Sequence, residues 1–118
     1  MGSARLLLVD DEIALVELLK KYLERLGYDV DACHASEEAL ALFEADPQRY
    51  ALVLTDLTLP GIDGEQMLDR MRLSNPCLRA VVSSGYPYQS RSPQVEFLQK
   101  PYLPKMLAEA IEKILKRV

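Results

Sequence analysis

The sequence predicts an α/β domain: a five-stranded parallel sheet with helices on both faces. Two observations carry that expectation. Short apolar runs alternate with longer stretches whose apolar residues recur every three or four positions, the marks of buried strands and amphipathic helices. Four of the runs also lead straight into polar groups, DDE, D, SSG and KP, which a strand built only for burial would not need.

Residues 5–9 (RLLLV) form the first strand. A helix over 12–26 follows, with Ile13, Val16, Leu19, Leu23 and Leu26 at helical spacing and Gly27 as its stop. Tyr28–Ala32 is a more polar strand suited to a sheet edge. Ser36 is placed to cap a second helix carrying Ala39, Leu40 and Phe43, which ends before Pro47. ALVLT at 51–55 is the most apolar strand, hence the sheet centre. After DLTLPGIDG comes a helix over 65–73 with Met67, Leu68 and Met71. RAVVS (79–83) and VEFLQ (95–99) are the last strands, and a final helix presents Leu103, Leu107, Ala110, Ile111, Ile114 and Val118. Strands that alternate with helices pair in parallel, and right-handed crossovers bring all strand ends to one rim.

The 118 residues fit one domain, taken as 4–118, with Met1-Gly2-Ser3 read as start and cloning residues. A net charge of −4 argues against nucleic acid as a partner. No stretch approaches the ~18 apolar residues of a membrane span and no signal peptide is visible, so no membrane contact and a cytoplasmic location are expected. Cys33 and Cys77 lack metal or redox spacing and read as reduced packing thiols. His34, the sole histidine, reads as a solvated loop residue.

The rim is where the chemistry collects. In a flavodoxin-like strand order, 2-1-3-4-5, the first and third strands are neighbours, and ligands sit at the strand ends where the winding reverses. Asp10, Asp11 and Asp56 then crowd together, and three carboxylates so close repel unless a cation joins them. Oxygen ligands without histidine or cysteine suit Mg²⁺ ahead of Ca²⁺ or Zn²⁺. Lys100 adds a compact charge for a phosphate, and Ser84 a hydroxyl beside Gly85. A carboxylate nucleophile, metal, lysine and hydroxyl describe phosphoryl transfer to an aspartate. Each residue also has a plainer reading. Asp10 or Asp11 could cap the first helix, Asp56 could open a turn with Pro60-Gly61, and Ser84 and Lys100 could be surface residues. Their coincidence on one rim favours the chemistry.

LLLVDDE, VLTDLTLPGIDG, VVSSGY and FLQKPY, in that order, resemble the four motifs of the response-regulator receiver domain, a match running from Arg5 to about Arg117. The resemblance implies Asp56 as phosphoacceptor, charged from a histidine kinase or phosphotransfer domain. It implies Mg²⁺, with Mn²⁺ as a substitute, on Asp11, Asp56 and the Thr58 carbonyl, with Asp10 acting through water. Ser84 and Lys100 would meet the phosphoryl group, and Lys100-Pro101 would be a cis peptide. Beyond Mg-dependent self-phosphorylation and dephosphorylation no independent enzyme is expected, although SSGYP and LPGIDGE look most like receivers attached to hybrid sensor kinases.

The chain departs from the family pattern between Gly85 and Phe97, where YPYQSRSPQVE holds two prolines and no helical apolar period. The fourth helix of the family is therefore expected to be short or absent, and the family's usual signalling and dimer face remodelled. Phe97 stands at the switch-aromatic position without a hydroxyl, which argues against an in-out rotamer switch. Tyr86 and Thr58 occupy positions that tune loss of the phosphoryl group, and a bulky Tyr86 is expected to shield it. Rival readings are a haloacid-dehalogenase-type phosphatase, which needs an acid where Thr58 stands, and a flavin site, for which DDE has the wrong sign. A phosphorylation-independent interaction module is the alternative that remains.

Overall fold

The computed structural model describes residues 4–89 and 92–116. The expectations for Met1-Gly2-Ser3, for Arg117 and for Val118 on the last helix fall outside the described residues. The elements are β1 (Arg5–Val9), α1 (Ile13–Arg25), β2 (Asp29–Cys33), α2 (Ser36–Ala45), β3 (Leu52–Asp56), α3 (Gly64–Ser74), β4 (Ala80–Ser84), β5 (Val95–Gln99) and α4 (Pro104–Leu115). The strands form one parallel sheet in the order β2-β1-β3-β4-β5. This is the flavodoxin-like order considered above, in the parallel sheet expected from the alternating pattern.

Strand side chains alternate between two cores because successive residues point to opposite faces. Leu7, Val9, Val53 and Val82 pack with Phe43 of α2 and with Met67 and Met71 of α3. Leu6, Leu8, Leu52 and Leu54 pack with Val16, Leu19 and Leu23 of α1 and with Leu107 and Ile111 of α4. β3 is buried along its whole length, as its apolar sequence requires. No helix among the described residues is long and apolar enough to cross a membrane.

Several local expectations are corrected. Ile13 and Leu26 are 58% and 53% exposed. The buried stripe of α1 is only Val16, Leu19 and Leu23; Ile13 lies in the first turn, and Leu26 is past the last one, where Gly27 turns the chain at φ 100°. Leu103 is likewise the residue before α4 and is 67% exposed. β2 runs one residue later than the alternation suggested. Ser36 does not cap α2: Ala35 holds that position, and the buried Ser36 hydroxyl donates to the Pro60 carbonyl at 3.3 Å. Cys33 packs in the core, but Cys77 is exposed.

Between β4 and β5 the described residues contain no helix. Pro87 and Pro93 remove backbone donors there, and the connection instead lays Tyr88 against Phe97, ring centres 5.8 Å apart and tilted by 49°. Phe97 and Tyr88 both pack, half-buried, on the first core. That contact holds the Phe97 ring inward through an aromatic neighbour rather than through a helix.

Candidate functional site

Sheet register builds the site. Val9 is paired with Thr55, so the residues that follow them, Asp10 and Asp56, arrive side by side at the rim. Asp56 pairs with Ser83, and Ser84 with Gln99, which draws the hydroxyl and Lys100 to the same end. The Lys100 amide donates to the Ser84 carbonyl at 2.8 Å, and the Lys100–Pro101 peptide is cis.

The acids and the lysine meet. Lys100 Nζ lies 3.0 Å from Asp56 Oδ2, 3.2 Å from Asp10 Oδ2 and 3.8 Å from Glu12 Oε1. Asp10 and Asp56 are buried at 3% and 8% exposure, whereas Asp11 is exposed. Ligand oxygens of Asp10, Asp11 and Asp56 all lie within 4.8 Å of one another. One lysine cannot neutralise three carboxylates, so the oxygen-only set fits a hard divalent cation. Burial pushes the Asp10 carboxyl above its ordinary range, although the Glu12 amide and Lys100 oppose it. Burial would lower Lys100, but its hydrogen bonds and charge contacts with Asp56 and Asp10 win and raise it. Both shifts describe a desolvated, charge-crowded pocket.

Backbone donors orient the acids. Asp10 Oδ1 accepts from the Glu12 amide at 3.0 Å while Oδ2 faces Lys100; neither Asp10 nor Asp11 caps α1, because Glu12 holds that position without a side-chain cap bond. Asp56 Oδ1 accepts from the Thr58 amide at 3.3 Å. The Ser84 hydroxyl, buried, accepts from the Tyr86 amide at 3.0 Å. Tyr86 itself is 76% exposed, and Thr58 is exposed too. Beside Lys100 opens a cavity of about 450 Å³ lined by Glu12, Leu15, Gly85, Pro101 and Tyr102. The Tyr102 hydroxyl is pushed up to about 12, chiefly by burial.

The sequence reading missed three contributors. Glu12 was only part of an acidic run, and nothing in sequence aims it at Lys100. Asp63 and Gln66 form a capping box at the start of α3, Asp63 Oδ1 accepting from the Gln66 amide at 2.8 Å; the D-x-x-Q spacing was a legible signal. Gly64 is the third. Its amide donates to the Leu57 carbonyl at 2.9 Å, and a Cβ there would stand 2.3 Å from the Asp56 carbonyl oxygen and 3.0 Å from Leu57 Cα. Gly64→Ala must therefore push the loop after Asp56 outward. It is expected to cost about 1–3 kcal/mol, read from the denaturant midpoint, and a midpoint equal to wild type would show that the backbone yields freely.

A doubly wound sheet in this order, with acids, hydroxyl and lysine converging at its switch point, defines the receiver class of two-component signalling. A family profile described as Response regulator receiver domain matches residues 6–112, and the chain belongs to that family. The regulatory protein VanRB of Enterococcus faecalis is 32% identical over 98% of the chain, which spans 54% of that protein. The sensor kinase CckA of Brucella abortus is 30% identical over 98% of the chain, which spans 13% of the kinase. A crystal structure of the receiver domain from hybrid histidine kinase CckA matches with TM-score 0.86 and 33% identity, covering 96% of this chain and 100% of that one. The regulator TrrA of Thermotoga maritima, solved in complex with Mg²⁺–BeF, matches with TM-score 0.81 and 30% identity over 94% of this chain and 98% of its own. The chain thus spans about half of one such relative and a small part of another.

Proposed function

We propose that this receiver accepts a phosphoryl group on Asp56 from the phosphohistidine of a histidine kinase or phosphotransfer domain. The observation that carries it is Lys100 Nζ held between Asp56 and Asp10 at 3.0 and 3.2 Å. A carboxylate oxygen of Asp56 attacks phosphorus, the P–N bond breaks, and the imidazole leaves with its electron pair. Asp10, Asp11, Asp56 and the Thr58 carbonyl would hold a Mg²⁺ ion, which when bound would supply charge neutralisation for the transferring phosphoryl group. Lys100 then passes from Asp56 to a phosphoryl oxygen. The Ser84 hydroxyl turns to donate to another, giving up the Tyr86 amide it now accepts from. That exchange makes the Ser84–Tyr86 segment the bistable element, and the β4–β5 connection the surface a partner reads.

Incubation with acetyl phosphate and magnesium should add one phosphoryl mass, mapped by peptide analysis to Asp56. An adduct on any other residue would overturn Asp56 as the acceptor, and no adduct at all would favour the phosphorylation-independent module. The resemblance to the CckA receiver supports origin within a hybrid kinase; recovery of a stand-alone gene product would remove it.

The lifetime of the adduct tests Tyr86. Its ring is 76% exposed, so shielding the acyl phosphate requires it to fold over the site once Ser84 releases its amide. Tyr86→Ala is then expected to shorten the lifetime several-fold in magnesium buffer, and unchanged decay would remove Tyr86 from the tuning set.

A further inference from the structure

The chemistry proposed above leaves Ser83 idle. It pairs with Asp56 across β3 and β4, and paired residues of neighbouring strands send their side chains to the same face of a sheet. Two residues earlier on each strand, Leu54 and Val81 pack in the core shared with α1 and α4, so Ser83 stands beside the acid on that side. Ser83 is 7% exposed, and its carbonyl accepts from the Leu57 amide at 2.8 Å. Its hydroxyl has no hydrogen-bond partner among the described residues. A buried hydroxyl in that condition forfeits the bond it makes with water in the unfolded chain.

Beside that hydroxyl lies a void of about 10 Å³. Leu54 and Val81 line its inner side, and Asp10, Asp56, Ser83 and Tyr102 line it toward the rim. A single water needs ~10–15 Å³ of such space, so one molecule fits and a second does not. Voids walled by apolar groups stay dry, but two carboxylates and an unmet hydroxyl make this one polar. Tyr102 also lines the larger cavity outside, so it stands between the void and solvent.

We propose that one water molecule occupies this void and that Ser83 is a positioning residue for Asp56, acting through it. Carboxylates only accept, so the water donates one hydrogen to an Asp10 oxygen and the other to an Asp56 oxygen. Its lone pair accepts from Ser83 Oγ–H, which satisfies the hydroxyl. Lys100 joins the same two acids at 3.2 and 3.0 Å but does not line the void. When Lys100 passes to a phosphoryl oxygen, the water still spans the acids and Asp56 keeps its aim. That role in transfer rests on the function proposed above; the water site itself does not.

Valine and threonine share a shape and differ in the hydroxyl, so Ser83→Val and Ser83→Thr separate the donor from added volume. Oxygen-17 relaxation dispersion of the solvent counts long-lived internal waters without interference from hydroxyl protons. Wild type and Ser83→Thr should each hold about one more such water than Ser83→Val. Equal counts in wild type and Ser83→Val would overturn the site, as would loss of the water from Ser83→Thr too. Wild type alone should show water cross-peaks at the Leu54 and Val81 methyls, a measurement that stands even if a variant fails to fold; their absence would also overturn the site. With magnesium saturating, labelling of Asp56 by acetyl phosphate should reach a maximal rate about three- to tenfold lower in Ser83→Val, at an unchanged half-saturating donor concentration. Ser83→Thr should recover that rate. A Ser83→Val without the water but labelled as fast as wild type, slowing seen only as weaker donor binding, or equal slowing in a Ser83→Thr that keeps the water would each overturn the positioning role alone. If wild type takes no label at Asp56, the phosphoacceptor reading falls with that role, and the water count stands by itself.

Discussion

Asp56→Asn should fold normally and take up no phosphoryl group from acetyl phosphate or from a phosphorylated histidine kinase. The change is nearly isosteric, but the amide keeps a single oxygen, so it serves only one of the two donors, Lys100 and the Thr58 amide, that now lie 3.0 Å from Oδ2 and 3.3 Å from Oδ1. What vanishes is the anionic nucleophile, since an amide oxygen cannot hold a stable acyl phosphate. The substitution also relieves repulsion between Asp56 and the buried Asp10, so stability should stay within about 1 kcal/mol of wild type. Intact mass after treatment with magnesium and acetyl phosphate is the measurement. An adduct of wild-type size on the variant would place the acceptor elsewhere; an unfolded variant would say that Asp56 is structural.

The second large effect belongs to Lys100→Ala. Lys100 is 18% exposed at its side chain and bridges Asp56, Asp10 and, at longer range, Glu12. Removing one member of a buried ion pair leaves an uncompensated charge, a loss of about 3 kcal/mol. Two controls separate this from ordinary truncation. Magnesium should recover part of the deficit, because a divalent cation can join the acids that the ammonium no longer bridges. Acidification should recover part as well. Burial already raises Asp10 above its ordinary 3.8. A raised carboxyl binds more protons folded than unfolded, so its burial costs stability as pH climbs through the interval between those two pKa values. Losing Lys100 extends that interval upward, and the gap between variant and wild type should narrow as pH falls from neutrality toward the ordinary carboxyl range. Urea midpoints across that range, with and without magnesium, test it. A deficit indifferent to both would mean that Lys100 acts only through packing of its stem.

The periodicities were enough for the architecture. RLLLV, ALVLT and VEFLQ, alternating with helical stretches, fit a covered parallel sheet, while the order of its strands came from the flavodoxin-like pattern and not from the alternation. That the described residues between Gly85 and Val95 hold no helix was legible as well, because proline chemistry is local. Helix ends were read less well. Ile13, Leu26 and Leu103 continue an apolar spacing past the point where the helix still faces the core, and spacing alone carries no mark of where the partner surface stops. Ser36 looked like a cap because serine favours that position, yet its hydroxyl serves Pro60, 24 residues away in the chain.

The rim divides in the same way. Its acids, hydroxyl and lysine were set by residue type and by their position after each strand, which the sequence displays directly. Their distances, the arrival of Glu12 at Lys100 and the closeness of Gly64 to Asp56 came only with the tertiary structure. Each depends on register, loop path or side-chain direction between segments far apart in the chain. Local pattern determines which groups reach a surface; only the packing of one segment on another determines which of them touch.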